Sequence, residues 1–242
     1  PWYVDTRVLF YRSDLLAEAG YETIPDDWQG WRAALAAVRA RGEGDRYGIL
    51  LPVNEWTQPI IFGLQSGAQL LTDDATRGGF ARPEFRRAFD FYVELFTDGL
   101  APPVANNEVA NLYQEFEKGT FAMYITGPWN LGEFRRRLPE HLQDSWHTAP
   151  LPAPTGDGPG LSLAGGSSLV VFADSERRQA AWRLIEFLSQ PEQQVRFFEL
   201  TGDLPAHRAA WRDPILADDP RATAFAEQLD ADIGRVLPQR RP

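Results

Sequence analysis

The chain has 242 residues, of which 43% are hydrophobic and 12% aromatic, enough to bury a core and to argue against disorder. Its 34 acidic and 24 basic residues give a net charge of −10, which disfavours nucleic acids and anionic lipid surfaces as partners. It has no cysteine, which excludes thiol catalysis, disulfides and cysteine-ligated zinc, and no apolar run is long enough to cross a membrane.

The first half of the chain predicts two strands, each followed by helices. The apolar run at 8–11 is typical of a buried strand, and the short helix after it stops at Gly20. Asp27 can accept hydrogen bonds from the free amides of a first helical turn, so a second helix is predicted from Trp28 to Arg41. A further strand and two helices are predicted at 47–51, 59–66 and 82–98. The apolar stripe predicted for the last of these helices consists of Phe85, Phe89, Tyr92 and Phe96.

The second half continues the alternation of strands and helices. A helix at 108–118 precedes a strand at 121–125, which runs into the turn Gly127-Pro128-Trp129. The segment 150–160 is rich in proline and glycine without periodicity, which is typical of a surface loop or a crossing segment. The remaining elements are a strand at 168–172, helices at 181–188 and 191–200, a turn at 202–205 and a helix at 221–232. Strands and helices that alternate in this way predict a layered α/β or α+β fold.

Patterns that support metal binding or catalysis are weak. The histidines His141, His147 and His207 lack the paired spacing of a metal site. The glycines at 158–160 lack the lysine and the strand–loop–helix context of a phosphate-binding loop, and no Gly-x-Ser-x-Gly nucleophile motif is present. A glycosidase needs only two carboxylates about 5–10 Å apart, and this alternative stays open because sequence does not give their separation. The candidate carboxylates are Asp5, Glu55, Asp73, Asp74, Glu108 and Glu115.

Aromatic residues in loops that follow strands are the more informative feature. Trp129 follows Gly-Pro after one strand, and Trp56 lies in the loop after another, beside Asn54 and Glu55. Flat rings match the apolar C–H faces of a sugar, whereas carboxylates and amides accept hydrogen bonds from its hydroxyl groups. Together with Asp5, these residues make a coherent carbohydrate site. From the residues alone, packing of both tryptophans at the edge of the core is an equally good interpretation.

Several segments, taken in order, carry a resemblance to a known family. They are the stretch 5–16 (DTRVLFYRSDLL), Glu18-Ala19-Gly20 with Pro25-Asp26-Asp27-Trp28, the stretch 116–123 (FEKGTFAM) that runs into Gly-Pro-Trp, Pro150-Leu151-Pro152 with Gly165-Gly166-Ser167, and the stretch 181–194 with Gly202-Asp203-Leu204-Pro205. In order and spacing they resemble the family 1 extracellular solute-binding proteins of the maltose- and trehalose-binding type. Asp27 stands where that family usually has a threonine cap.

The resemblance implies a periplasmic-binding-protein-like α/β fold of type II, the maltose-binding kind, with two lobes that close like a hinge. The implied division is a crossing strand at 1–5, the second, C-terminal lobe at 6–160 and 203–242, and a returning piece of the first, N-terminal lobe at 161–202. Most of the first lobe and the final helices are then expected to lie outside this chain.

The resemblance also implies a function. It is that of a non-enzymatic, monomeric component of an ABC importer that delivers a di- or oligosaccharide, a maltose- or trehalose-like α-glucoside, to the membrane permease. Such a protein needs no cofactor and is periplasmic or extracellular, with a lipid anchor as one form of attachment. The alternative within the family is a glycerophosphodiester or sugar-phosphate binder, which would need a concentration of arginine or lysine. A carbohydrate-active enzyme is the third hypothesis.

Candidate ligand-binding residues follow from both arguments. Tyr3 and Asp5 match a Tyr-x-Asp pair whose carboxylate accepts hydrogen bonds from sugar hydroxyls in relatives, and Trp129 matches a stacking tryptophan. The turn at 165–166 is expected to bring its backbone close to the sugar, and His207 or Arg208 lies where relatives place an arginine. Ser167 stands where some relatives have tryptophan, so stacking is absent there. The complete set is Tyr3, Asp5, Glu55, Trp56, Trp129, Gly165, Gly166, Ser167, His207 and Arg208.

Overall fold

The structure, a computed structural model, describes residues 1–42 and 46–232. Its strands are β1 (Tyr3–Asp5), β2 (Val8–Arg12), β3 (Tyr47–Leu50), β4 (Phe121–Thr126), β5 (Trp146–Ala149), β6 (Gly165–Ser167) and β7 (Leu204–Pro205). Its helices are α1 (Ser13–Glu18), α2 (Trp28–Arg41), α3 (Thr57–Gln65), α4 (Pro83–Thr97), α5 (Leu112–Lys118), α6 (Trp129–Arg137), α7 (Arg178–Leu188), α8 (Pro191–Thr201), α9 (Pro214–Ala217) and α10 (Pro220–Asp232). Short 3-10 helices lie at Asn106–Glu108, Glu140–Leu142 and Arg208–Arg212. Within these described residues, no helix is long and apolar enough to span a bilayer.

A four-stranded sheet in the order β3-β4-β2-β5 forms the centre of the larger unit. β3 and β4 are parallel, whereas β2 runs antiparallel to both β4 and β5. Successive residues of a strand face opposite sides of a sheet, so Leu9 packs with Trp31 and Phe62 on one side. Phe10 packs with Phe134 on the other side. The helices α1 to α4 therefore cover one face of the sheet, and α5, α6 and α10 cover the other. The predicted layered α/β architecture is confirmed.

A smaller antiparallel sheet, in the order β6-β1-β7, joins this unit to the late helices. Its central strand β1 leads through Thr6 and Arg7 directly into β2. Leu204 of β7 and Phe198 of α8 belong to the same buried cluster as Phe10. The small sheet is thus continuous with the core of the larger unit.

Local signals predicted most element boundaries. The strands predicted at 8–11, 47–51 and 121–125 and the helix at 221–232 correspond to β2, β3, β4 and α10. Asp27 caps α2 as expected, because its carboxylate accepts a hydrogen bond of 2.9 Å from the Gly30 amide. The helix predicted at 108–118 begins later, at Leu112, since the Asn111 side chain accepts from the amides of Tyr113 and Gln114.

Three predictions about individual elements are wrong. Trp129 is the first residue of α6 and not a turn residue, because Pro128 already has helical backbone angles. The buried stripe of α4 is Phe85, Ala88, Tyr92 and Leu95, and Phe89 is exposed. Ala88 and Leu95 are completely buried in the core cluster that contains Trp31 and Phe62, whereas the ring of Phe89 packs beside Tyr92.

The third error is the strand predicted at 168–172. The strand in this region is β6, three residues earlier, and residues 168–172 pair with no strand of the described chain. Phe172 is 80% exposed, and Trp182, Leu184 and Phe187 of α7 are exposed as well. A strand requires a neighbouring backbone for its hydrogen bonds. The pairing between β1 and β6 ends with Tyr3 opposite Ser167, so it does not extend to residues 168–172.

Candidate functional site

The sheet topology brings three connections to one edge of the larger sheet. β3 and β4 are parallel, so the loop with Glu55 and Trp56 and the turn before Trp129 both follow the carboxyl ends of strands at this edge. Because β2 is antiparallel to β4, its first residue, Val8, pairs with Thr126 at the same edge. The link through Arg7 therefore arrives there too. Ligands of open α/β sheets bind beyond the carboxyl ends of the strands, which makes this edge the candidate site.

The small sheet places Tyr3 and Asp5 on the same face of β1. Tyr3 lies opposite Ser167, whose hydroxyl donates a 3.0 Å hydrogen bond to the Tyr3 hydroxyl. Asp5 lies opposite Gly165, where an added Cβ would be 2.8 Å from the Asp5 carboxylate. A larger residue at 165 would therefore displace this carboxylate from its present position. Five of the predicted ligand-binding residues, Tyr3, Asp5, Gly165, Gly166 and Ser167, are therefore adjacent in this sheet.

The backbone at Gly166 also favours glycine, which gives a testable prediction. Its φ is +125°, and an added Cβ would collide with the Tyr3 carbonyl. Gly158 also has a positive φ, +107°, but has open space around it. Replacing Gly158 with alanine should lower the free energy of unfolding by about 1–2 kcal/mol from backbone strain alone. Gly166→Ala should cost about 3 kcal/mol because β6 must also move off β1. Urea unfolding of both variants measures the difference, and equal losses would contradict the collision.

Asp5 and Trp129 are joined by Arg7, which was not among the predicted ligand-binding residues. Its guanidinium donates a 2.7 Å hydrogen bond to the Asp5 carboxylate and lies 4.7 Å from the centre of the Trp129 ring. Trp129 remains 39% exposed, so part of its ring is open to a ligand. The arrangement is an aromatic surface, a carboxylate and a guanidinium side by side. The one sequence signal for the pairing of Arg7 with Asp5 is their separation by two residues.

A second carboxylate that was not predicted, Asp203, lies near Asp5. Burial raises the pKa of Asp203, and the negative charge of Asp5 raises it further. The preceding residue, Gly202, approaches the Pro128 carbonyl, where an added Cβ would be 3.3 Å away. The turn at 202–203 therefore closes the site beside the start of α6. The sequence predicts this turn but does not indicate that the Asp203 carboxylate takes part in the site.

The start of α6 is fixed by polar contacts behind Trp129. The buried Asn130 side chain donates a 2.7 Å hydrogen bond to the Thr126 hydroxyl. It also accepts one of 3.0 Å from the Tyr113 hydroxyl. Trp129 therefore stands on a helix whose first turn is tied to both β4 and α5, which limits the movement of its ring.

Glu55 and Trp56 lie at the start of α3, at the same edge. The Glu55 carboxylate accepts hydrogen bonds from the amide and hydroxyl of Thr57, at 3.3 and 3.0 Å, so it stabilises the first turn of α3. Burial raises the pKa of Tyr124; the charge of Glu55 adds to that rise and the charge of Arg7 opposes it. Glu55 and Arg7 are therefore within electrostatic range of the same hydroxyl. Trp56 is 65% exposed and available as a second aromatic surface.

His207 and Arg208 lie apart from this cluster. The His207 ring accepts a 3.1 Å hydrogen bond from the Ala209 amide and so caps a 3-10 helix. Arg208 is exposed, lies 3.9 Å from Asp230 and borders a groove of about 480 Å³ together with Val4. Since Val4 points to the face of β1 opposite Tyr3 and Asp5, this groove is on the other side of the small sheet. Gly165 also lines this groove, so the structure brings Arg208 close to one of the other eight predicted residues.

A metal site would require several ligating side chains close together. Across residues 1–42 and 46–232, no group of three histidine, aspartate or glutamate side chains could hold a metal ion. What the cluster offers chemically is an open aromatic face, hydrogen-bond acceptors and one guanidinium. These are the groups that bind a neutral polyhydroxylated molecule.

The sequence model of the family described as "Bacterial extracellular solute-binding protein" matches residues 1–195, and the chain belongs to this family. The family suggested by the sequence motifs is confirmed. The family is bacterial and extracellular or periplasmic.

Solved structures and curated sequences agree with this assignment. The chain is similar to the structure of the sugar-binding protein MalE from Xanthomonas citri, with 47% identity, a TM-score of 0.90, and coverage of 95% of this chain and 58% of that one. The maltose-binding-like type II fold is thereby confirmed. The diacetylchitobiose binding protein DasA of Streptomyces coelicolor is 22% identical over 86% of this chain and 49% of its own length. The sn-glycerol-3-phosphate-binding protein UgpB of Escherichia coli is 25% identical over 87% of this chain and 49% of its own. The chain thus spans only about half of these two curated relatives.

Proposed function

We propose that the full-length protein containing this chain is the solute-binding component of an ABC importer for a di- or oligosaccharide, a maltose- or trehalose-like α-glucoside. The observation that carries the proposal is the partly open ring of Trp129, held beside the Asp5 carboxylate at the junction of the two sheets. The ring would stack on a sugar face while Asp5 accepts hydrogen bonds from hydroxyl groups. The similarity to the sugar-binding MalE of Xanthomonas citri supports the same substrate class.

The charges at the site favour a neutral ligand. Three carboxylates, those of Asp5, Asp203 and Glu55, lie at or near the cluster, and its guanidinium, Arg7, is already paired with Asp5. A phosphate group needs cationic or amide donors without a carboxylate partner. Arg208, the other cation predicted for the site, lies near Asp230 on the opposite face of β1. The glycerophosphodiester or sugar-phosphate alternative rests on the similarity to UgpB, and the charge distribution speaks against it.

The exposed apolar residues of 168–200 support a two-lobed protein. Phe172, Trp182, Phe187 and Leu200 expose large apolar surfaces in the described chain, and such surfaces mark interfaces. In the proposed arrangement this face packs on the rest of the first, N-terminal lobe, to which 161–202 contributes. The second lobe then comprises 6–160 and 203–242, of which 233–242 lie outside the described residues. Tyr3, Asp5, Trp129 and Ser167 would face the cleft between the lobes, with Trp56 at its margin.

The remaining parts of the proposal follow from this role. The protein acts as a monomer outside the cytoplasmic membrane, free or lipid-anchored, and hands its ligand to the permease subunits. It does not transform the ligand.

A ligand screen on the full-length protein tests this function. Thermal unfolding is measured with maltose, trehalose, maltooligosaccharides and glycerophosphocholine, and the sugars are analysed afterwards for products. A ligand at 100 times its Kd stabilises the folded state by about 2.7 kcal/mol, which is easily detected as a rise in Tm. We expect a rise with an α-glucoside and full recovery of intact sugar. Released products would instead support a carbohydrate-active enzyme, and a rise with glycerophosphocholine alone would support the phosphodiester alternative.

A further inference from the structure

Arg7 is held in place from several directions. Its backbone amide donates a 3.1 Å hydrogen bond to the Ser162 hydroxyl, and this hydroxyl donates one of 2.7 Å to the Arg7 carbonyl. The neighbouring Thr6 is completely buried and donates to the Asp232 carboxylate, as does the Ser162 amide. The strand link at 6–7 is therefore fixed to both the segment at 162 and the end of α10. The guanidinium of Arg7 extends from a rigid backbone.

The side chain of Arg7 is mostly removed from water. The side chains of Arg7 and Asp5 are only 19% and 16% exposed, so their ion pair is weakly screened. A guanidinium over a tryptophan face is attracted to the ring more strongly when it is partly desolvated than when it is fully exposed. The Arg7 guanidinium thus donates a hydrogen bond to the Asp5 carboxylate and also lies over the Trp129 ring.

We propose that Arg7 is a positioning residue that orients the Asp5 carboxylate and the Trp129 ring before the ligand arrives. The inference rests on the proposed function of the site. Without the guanidinium, the Asp5 carboxylate and the Trp129 ring would both be less restricted than in the wild type. Asp5 would lose its counter-charge close to the carboxyl group of Asp203, and Trp129 would lose the cation that restricts its ring. Preorganisation of this kind strengthens binding because the ordering cost is met before the ligand binds.

Other roles for Arg7 predict different effects of its removal on ligand affinity. If Arg7 merely covered the face that the sugar needs, its removal would expose that face and tighten binding. If Arg7 bound the ligand independently of Trp129, its loss would weaken binding equally with and without that tryptophan. A double-mutant cycle distinguishes these cases from positioning.

The test uses the full-length protein and an α-glucoside that the wild type binds, with Kd measured by calorimetry. Arg7→Met keeps a long side chain without charge, and we expect Kd to rise about 10-fold, the equivalent of one such contact. In a Trp129→Ala background the same change should raise Kd by only about two- to threefold, since one of the two positioned groups is gone. Arg7→Lys keeps the charge but not the planar guanidinium group, so its effect should be intermediate.

Arg137→Met is the matched control. The Arg137 guanidinium also lies over an aromatic ring, that of Tyr113 at 4.9 Å, but Arg137 is half exposed and lies at the opposite end of α6 from Trp129. The Kd of the Arg137→Met variant for the α-glucoside should equal that of the wild type. An unchanged or lower Kd for Arg7→Met, or an equal loss in both backgrounds, would overturn the inference.

Failure of the proposed function is recognised separately, because the wild type itself would then bind none of the sugars. In that case the Arg7–Trp129 cycle is measured on urea unfolding without ligand. Non-additive losses of stability would uphold the positioning contact, and additive losses would overturn it.

Discussion

Trp129→Ala in the full-length protein is expected to weaken α-glucoside binding by about 1–3 kcal/mol, or about 5- to 150-fold in Kd. The ring is the aromatic surface of the site, 39% exposed and supported from behind by the Asn130 hydrogen bonds. Alanine would remove the stacking surface and the surface on which Arg7 lies. Calorimetric titration with the sugar gives the change directly.

The control for this prediction is Phe89→Ala. Phe89 is also a large exposed aromatic residue on a helix, but α4 lies on the opposite side of the larger sheet from α6. Its substitution should leave Kd unchanged. If Trp129→Ala also leaves Kd unchanged, Trp129 does not belong to the site.

Asp232→Ala is expected to lower the free energy of unfolding by about 3 kcal/mol, because it leaves buried donors without an acceptor. The Asp232 carboxylate accepts hydrogen bonds from the Thr6 hydroxyl at 2.7 Å, the Ser162 amide at 2.7 Å and the Gln228 side chain at 3.1 Å. These donors come from three separate segments, so the loss loosens the attachment of α10 to both connections near the site. Urea unfolding of the full-length protein measures it.

Asp232→Asn is the conservative companion of this variant. It keeps the shape and one carbonyl oxygen, so the loss should be about 1 kcal/mol. Equal stability of the alanine variant and the wild type would contradict the proposed attachment.

The same carboxylate gives a pH dependence. Burial raises the pKa of Asp232 above its ordinary value despite its three donors. The folded state therefore favours the protonated form, and this contribution is present below the unfolded pKa of about 3.9 and is lost as pH rises through the folded value. Since asparagine does not titrate, the deficit of Asp232→Asn should be largest in acid and shrink toward neutral pH. Unfolding curves at pH 4 and pH 7 for both proteins check the sign.

The parts of the fold that were predicted depend on neighbouring residues along the chain. The strand at 8–11 is recognisable because four apolar residues follow one another, and Asp27 caps α2 through a hydrogen bond to a residue three positions away. Such signals need no knowledge of the rest of the molecule. The prediction of a strand at 168–172 was wrong because a run of apolar residues is not sufficient for a strand. A strand also requires hydrogen bonds to a neighbouring backbone.

In the candidate site, too, residues whose roles depend on tertiary contacts were not predicted. Residue types indicated Trp129 and Asp5 as groups that can bind a sugar, and the family resemblance added Tyr3 through the Tyr-x-Asp pair. Arg7 and Asp203 were missed because their roles arise only where β1, α6 and the turn at 202–203 meet. The position of Arg208 likewise depends on which face of β1 the chain passes after β7, and this is fixed by tertiary packing.

Calorimetric titration of the full-length protein with maltose, trehalose and glycerophosphocholine tests the central claim most directly. The aromatic and carboxylate groups beside β1, with the single guanidinium paired to Asp5, predict saturable one-to-one binding of an α-glucoside and no heat from the phosphodiester. Binding of glycerophosphocholine with no response to any α-glucoside would contradict it.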